Sequence, residues 1–401
     1  MEPDRNALAD DEWSPAERAL LARARELTPV VAARAAEAER LRRLPDATNR
    51  EFHEAGFYRI MQPARYGGSQ ARYGLHTALA MEIARGCASS GWALSVTACH
   101  SWILGMFPRE AQDEIWGPKP HAAIASTFFA VSPEVTPAPG GVRLSGRWRF
   151  SSNVDHCEAA IVIAMAPKPD GGLAQYFIVL HPDQYRIEAC WNTAGLAATG
   201  SNDIVAENVF VPAHRMLDTM ATRLGQTPGA GANDHYTFAL PLFAPFSHTL
   251  VGPAIGAARG ALDWIVADLA GKASVAGAPL AALPTVQTRV AEAAAEIEAA
   301  TAILSVDRAR INADGARRRL PDDEQRVRYR LNVGYATKLA VQAVERLLPV
   351  IGGRGLETAN PVQRAWRDVH AVAQHIALTW DLQALNYGAV RLGLKAGDPR
   401  I

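Results

Sequence analysis

Cysteine is scarce: Cys87, Cys99, Cys157 and Cys190 are the only four in 401 residues. They form no C-x-x-C pair and have no histidine at ligand spacing, so neither a disulfide framework nor a zinc site is indicated. Buried thiols in a reducing cytosol are expected. An excess of one charge is also missing. With 41 basic and 41 acidic residues the net charge is zero, so no global field draws nucleic acid or an anionic membrane. The opening MEPDRNALADDEW lacks the basic start and apolar run of a signal peptide, and a cytoplasmic location is expected. No G-x-G-x-x-G follows a strand, and neither G-x-x-x-x-G-K-[ST] nor G-x-S-x-G occurs. That leaves no home for a nicotinamide dinucleotide. Gly352-Gly353-Arg354-Gly355 has the glycines but lies between helical stretches, and reads as an interhelical turn.

What is present falls into three segments, as a chain of two or three domains would. From Ser14 to about Gly117 the pattern is helical. Ser14-Pro15 supplies a cap and a first-turn proline, and two apolar helices flank the small residues from Gly86 to Gly91. From about His121 to Pro212 the candidates are strands, VRLSGRWRF, AAIVIAMA, AQYFIVL and NDIVAENVFV, with a turn at Pro139-Gly140-Gly141. Helix returns from about Leu250, where Gly252, Gly256 and Gly260 line one face for close backbone packing. GARRRLPDDEQ reads as a solvated turn between two later helices. Tyr236 to Ala258 carries no Asp, Glu, Lys or Arg, but Pro241, Pro245, Pro253 and His248 favour a buried loop entering a core helix over a membrane span. The expected domains are residues 1–120, 121–232 and 233–401.

Chemistry-bearing residues gather at two strand edges. In WRFSSNVDHCEA the alternation of Trp148 and Phe150 is broken by Ser151, Ser152 and Asn153, which either cap a local turn or face a ligand. About forty residues later, Thr199, Gly200, Ser201 and Asn202 repeat the theme before a strand. Two polar edges suggest one polar planar ligand. The final helical stretch, read as one helix from about Pro361 to Leu394, places Val362, Trp366, Val369, Ala373, Ile376 and Trp380 on a buried stripe. Asp368 and His375 share a face beside it, and His370 is rotated from His375 by roughly 140°. His375, and His100 on an otherwise apolar helix, are either satisfied core histidines or acid/base groups.

On EIARGCASSGWALSVTACH, GRWRFSSNVDHCEAAIV, GLAATGSNDIVAENVFVPAHR and NPVQRAWRDVHAVAQHIALTWD, the chain resembles the acyl-CoA dehydrogenase fold. Within it, the chain is similar to the flavin-dependent monooxygenase branch, the oxygenase components of two-component aromatic hydroxylases. The resemblance implies an α+β, mainly α, architecture: N-terminal helices, a middle β-barrel or sandwich, and a C-terminal four-helix bundle. It implies reduced flavin, FMNH2 or FADH2, made by a separate flavin reductase. The flavin reacts with O2 to a C4a-hydroperoxide that oxygenates a small aromatic, phenolic or polycyclic, substrate. By the same resemblance Ser152 lies beside flavin N5, Ser151 and Phe150 border the ring, and Trp92 flanks flavin or substrate. Thr199, Ser201 and Trp191 form the second flavin edge, with Gly195 nearby. His375 acts as base on a substrate hydroxyl and His100 orients substrate or oxygen. A homotetramer is implied, and no metal, nucleic acid or membrane partner. Asn153 departs from the usual glycine after the two serines. The alternatives are a flavin dehydrogenase or nitroalkane oxidase, which needs a carboxylate base facing N5, and a flavin-binding protein without catalysis.

Overall fold

A computed structural model describes residues 13–168, 171–273 and 277–398. Helices come first: α1 (Pro15–Ala33), α2 (Ala35–Leu41), α3 (Asp46–Glu54), α4 (Leu75–Ala84), α5 (Ala88–Leu104) and α6 (Arg109–Trp116). The start of α1 is a reciprocal capping box between Ser14 and Glu17, with Pro15 in the first turn. Every residue of α5 is buried, as a helix apolar on all sides must be.

The strands follow as β1 (Ile124–Ser126), β2 (Phe129–Ala138), β3 (Gly141–Ser151), β4 (Ala159–Pro167), β5 (Leu173–Leu180), β6 (Arg186–Glu188), β7 (Asn202–Pro212) and β8 (Met216–Asp218). They form two four-stranded sheets, in the orders β1-β4-β5-β8 and β2-β3-β7-β6. Trp148, Leu144, Val162, Ile178 and Ile204 fill the space between them. All four strands expected from the sequence are present, and β2 is the long strand that the reading missed. Its burial alternates weakly, with Phe129 and Val131 exposed.

After the short helices α7 (Thr219–Arg223) and α8 (Pro228–Ala232), the chain enters α9 (His248–Leu269), α10 (Pro284–Ala316), α11 (Asp323–Leu347), α12 (Pro361–Ala373) and α13 (Trp380–Arg391). Among the described residues one helix, α9, is long and apolar enough to cross a membrane, but most of it is packed inside the protein. Its glycines allow that packing. A Cβ would stand 2.8 Å from Thr77 O at Gly252, 2.2 Å from Met81 O at Gly256 and 2.1 Å from Arg85 O at Gly260, so the α9 backbone lies directly on α4. Pro253 inside α9 cannot donate to Thr249 O, and Ser95 Oγ of α5 fills the gap at 2.6 Å.

Two expectations need correction. The last helical stretch is not continuous: α12 ends at Ala373 and α13 begins at Trp380. The buried stripe is Val362, Ala365, Val369 and Val372, while Ile376 is 55 % exposed. The interruption has a local cause. His375 Nδ1 accepts the Ala377 N–H at 3.2 Å, and His375 O accepts from Leu378 and Thr379, so a side chain competes with the helical ladder. The thiols are also not all buried: Cys87 and Cys99 are, Cys157 is half-buried, and Cys190 is exposed on the loop after β6.

Candidate active site

The break in WRFSSN is a β-bulge. Trp148 pairs with Ile204 and Ser151 with Asn202, so three steps along β3 match two along β7. The extra residue forces Phe150 to φ 66°, a genuine outlier for a bulky side chain, and Asn153 follows at φ 60°. Asn153 therefore supplies the left-handed turn that glycine would give. Its N–H bonds Thr199 O at 2.8 Å, and its amide nitrogen reaches Thr97 Oγ1 on α5 at 3.1 Å. The bulge leaves Ser151 and Ser152 side by side at the end of β3, facing the loop before β7.

That loop is held from several sides. Leu196, itself at φ 50°, accepts from Trp191 Nε1 at 2.8 Å and from Thr199 Oγ1 at 3.0 Å. Its N–H donates to Asp368 Oδ1 of α12 at 2.7 Å. Gly195 is needed there, because a Cβ would lie 2.2 Å from Arg367 O. Burial pushes the Asp368 carboxyl up to about 7. The bond to Asp368 spans 172 residues. Sequence spacing had placed Asp368 on a face with His375 but could not show this partner, although a carboxylate on the apolar side of α12 was the available signal.

The two edges meet through hydroxyls. Trp92 Nε1 donates to Ser152 Oγ at 3.0 Å, Ser152 Oγ lies 2.8 Å from Ser201 Oγ, and Ser201 Oγ lies 2.6 Å from Thr199 Oγ1. The Trp92 ring is 5.9 Å from that of His375, which brings the C-terminal helices to the same place. Phe150, 45 % exposed, stands 6.1 Å from Trp191 and 5.6 Å from Phe129. Of the sequence-predicted residues, Trp92, Phe150, Ser151, Ser152, Trp191, Thr199, Ser201 and His375 are thus linked by bonds, ring contacts or direct sequence adjacency.

His100 stands apart from that chain of contacts. Its Nδ1 donates to Ile124 O of β1 at 2.9 Å, and burial depresses its pKa to about 4, so the ring is neutral with its lone pair on Nε2. His375 carries the opposite tautomer. Because its Nδ1 accepts from Ala377, the neutral ring holds its proton on Nε2. Any contact of this ring with a substrate hydroxyl therefore falls to Nε2. Tautomers of this kind are invisible to residue spacing.

Two further hydroxyls fit a ligand. Ser151 Oγ and Ser126 Oγ are buried and have no hydrogen-bond partner among the described residues. An orphaned buried hydroxyl is costly unless something polar meets it. Ser126 ends β1, two residues from the carbonyl that His100 holds, and Thr127 beside it bonds Arg149 O of β3. The sequence reading missed Ser126, though IAST shows the same small-polar step at a strand end as FSSN. The chemistry of this set suits a planar, polar, partly apolar group such as an isoalloxazine: hydroxyls at Ser126, Ser151 and Ser152, and aromatic rings at Trp92, Phe150 and Trp191. A separate open groove of about 690 Å³ runs between α10 and α11, lined by Thr288, Arg289, Val341 and Arg346 among others. It contains none of these groups, and Arg346 there is already paired with Glu292 and Glu296.

Comparison with known proteins agrees with the architecture. Residues 14–122 match the family description "Acyl-CoA dehydrogenase, N-terminal domain", and residues 248–380 match "Acyl-CoA dehydrogenase, C-terminal domain". The chain is similar to the oxygenase component of the FADH(2)-dependent resorcinol hydroxylase of Rhizobium sp. (strain MTP-10005), at 35 % identity over 90 % of this chain and 91 % of that one. Among solved structures it is similar to 3-HSA hydroxylase from Rhodococcus sp. RHA1, with TM-score 0.90, 32 % identity, and coverage of 95 % and 98 %. XiaF from Streptomyces sp., solved in complex with FADH2 and glycerol, gives TM-score 0.89 at 27 % identity, covering 96 % of this chain and 98 % of that one.

Proposed function

Because the chain belongs to the family of flavin-dependent monooxygenase oxygenase components built on the acyl-CoA dehydrogenase fold, we propose that it hydroxylates a phenolic substrate with FADH2 and O2. The observation that carries the reading is the hydroxyl cluster Ser152–Ser201–Thr199, joined by Trp92 to His375, with the orphaned Ser151 next to Ser152 in the chain. A reductase supplies the FADH2, as the naming of relatives as oxygenase components implies.

When bound, reduced flavin supplies the two electrons that split dioxygen into one oxygen atom for the substrate and one for water. The protein's residues do the rest. Ser151, Ser152 and Ser126 hold the polar edge of the ring, and Phe150, Trp191 and Trp92 cover it. Burial of the cluster excludes water, which strengthens each of these contacts. His100, neutral and with its Nε2 unpartnered among the described residues, takes the proton of the substrate hydroxyl. His375 donates from Nε2 to the oxygen so charged, which keeps electron density on the aromatic ring.

A dehydrogenase reading requires a carboxylate base in the cluster. None of Trp92, Ser152, Ser201 and Thr199 is one, and Asp368 is engaged by Leu196 N. The homotetramer is part of the same proposal.

The test is to load the protein anaerobically with FADH2, add O2 and a panel of phenols, and quantify hydroxylated product and hydrogen peroxide. Product from at least one phenol is expected. Peroxide alone from every phenol, or acyl-thioester-dependent reduction of bound FAD, would sink the reading.

A further inference from the structure

A left-handed residue after a bulge needs only glycine, or an asparagine whose short side chain bonds the backbone nearby. Asn153, at φ 60°, does neither: it is 1 % exposed, and its amide reaches residues 56 and 95 positions away in the chain. Nδ2 donates to Thr97 Oγ1 of α5 at 3.1 Å and, less closely, to the Tyr58 hydroxyl at 3.4 Å. The direction at Tyr58 is fixed. Tyr58 spends its one proton on Asn49 Oδ1 at 3.0 Å, so its oxygen can only accept there, and the amide must face it with nitrogen. Tyr58 belongs to the same platform as α5, because its carbonyl accepts from Ser101 Oγ at 2.9 Å. The backbone of Asn153 is committed as well: its N–H donates to Thr199 O at 2.8 Å, and its carbonyl accepts from the His156 N–H at 3.1 Å.

The end of β3 therefore meets α5 at two points. Trp92 holds Ser152, and Thr97 holds Asn153, about 7.5 Å further along the helix at 1.5 Å per residue. A single bond leaves a turn free to swing about it, whereas two bonds to adjacent residues fix both its height and its direction. His100 follows Thr97 by three residues on the same buried helix. We infer that Asn153 is a positioning residue for the oxygenation, its amide locking the Ser151–Ser152 turn in register with the helix that carries Trp92 and His100. This deepens the proposed function and rests on its assignment of Ser151 and Ser152 to the polar edge of the ring. A glycine at this position would supply the same backbone angle without the lock. Asn153 acts through Ser152 rather than on substrate or flavin.

The experiment compares the wild-type chain with Asn153→Gly, Thr97→Val, Thr97→Ser, the Asn153→Gly/Thr97→Val double variant and Ser152→Ala, each checked for folding by circular dichroism. Asn153→Gly keeps the left-handed turn and removes the amide, while Thr97→Val removes the acceptor without touching the turn. Two quantities are read. One is hydrogen exchange of the Trp92 indole N–H in the flavin-free protein, assigned by its loss in Trp92→Phe. The other is the peroxide released per FADH2 consumed with a phenol that the wild type hydroxylates. Asn153→Gly and Thr97→Val should each speed the exchange and raise the peroxide by about five-fold, the effect of one hydrogen bond. Thr97→Ser keeps the acceptor and should retain both wild-type values. The double variant should be no worse than either single one, because both remove the same bond. Unchanged exchange in Asn153→Gly, additive losses in the double variant, or lower stability with wild-type coupling would overturn the positioning role. Ser152→Ala judges the proposed function separately. If it uncouples and Asn153→Gly does not, the lock falls alone; if it too couples as the wild type does, the assignment of Ser152 to the ring falls as well.

Discussion

Trp92 donates its indole proton to Ser152 Oγ over 3.0 Å, a bond that ties a wholly buried helix to the bulged end of β3. It makes Trp92 more than a wall. Ser152→Ala removes the acceptor for the ligand edge, and Trp92→Phe keeps an aromatic face towards His375 while removing the donor. Each should raise the peroxide released per FADH2 consumed by about five-fold, the effect of one hydrogen bond. A peroxide assay during single turnovers checks this, and wild-type coupling in both variants would remove the bond from the account.

The opposite tautomers of His100 and His375 predict different tolerance to substitution. Asparagine can donate but cannot act as a base, so His375→Asn should retain most product formation while His375→Ala loses it. His100→Asn and His100→Ala should both lower kcat/KM by about 10² or more. Equal loss in His375→Asn and His375→Ala would mean that His375 is the base after all.

Two buried groups give stability opposite dependences on pH. His100, at about 4 in the fold against an ordinary 6.5, disfavours its charged form, so stability is lost as pH falls through that window. Asp368 is raised from 3.8 to about 7, so its contribution is greatest in acid and is lost as pH rises through that interval. Denaturant melts of wild type and Asp368→Asn should diverge with rising pH between those values, by up to about 1.4 kcal/mol per unit, with Asp368→Asn gaining. A pH-independent difference would contradict the burial argument.

The contact between α9 and α4 predicts a purely structural effect. Gly256→Ala places a methyl 2.2 Å from Met81 O, a backbone atom with no side-chain freedom to yield. Overpacking of this kind should lower unfolding free energy by about 1–3 kcal/mol, read from the denaturant midpoint. An unchanged midpoint would show that the helices separate at no cost.

Much of this was legible before the structure, for physical reasons. Strands β3, β4, β5 and β7 announce themselves by apolar runs between turn residues, and the glycines of α9 by their four-residue spacing. The polar edge around Ser152 was legible because three small polar side chains interrupt an aromatic alternation. What was not legible depends on distant partners or on single protons. The bond from Leu196 to Asp368 joins residues 172 apart, and the break after Ala373 arises where His375 captures a backbone N–H with no proline or glycine to mark it. Ser126 was passed over because one serine in a three-residue strand carries no pattern.

The most direct measurement is a crystal structure of the protein loaded anaerobically with FADH2. The account predicts the N5 edge of the isoalloxazine about 3 Å from Ser152 Oγ, the distance of a hydrogen bond, with Ser126 and Ser151 turned to the ring and His375 opening onto the same hollow. Flavin bound elsewhere, or a ring whose N5 faces away from Ser152, would contradict it.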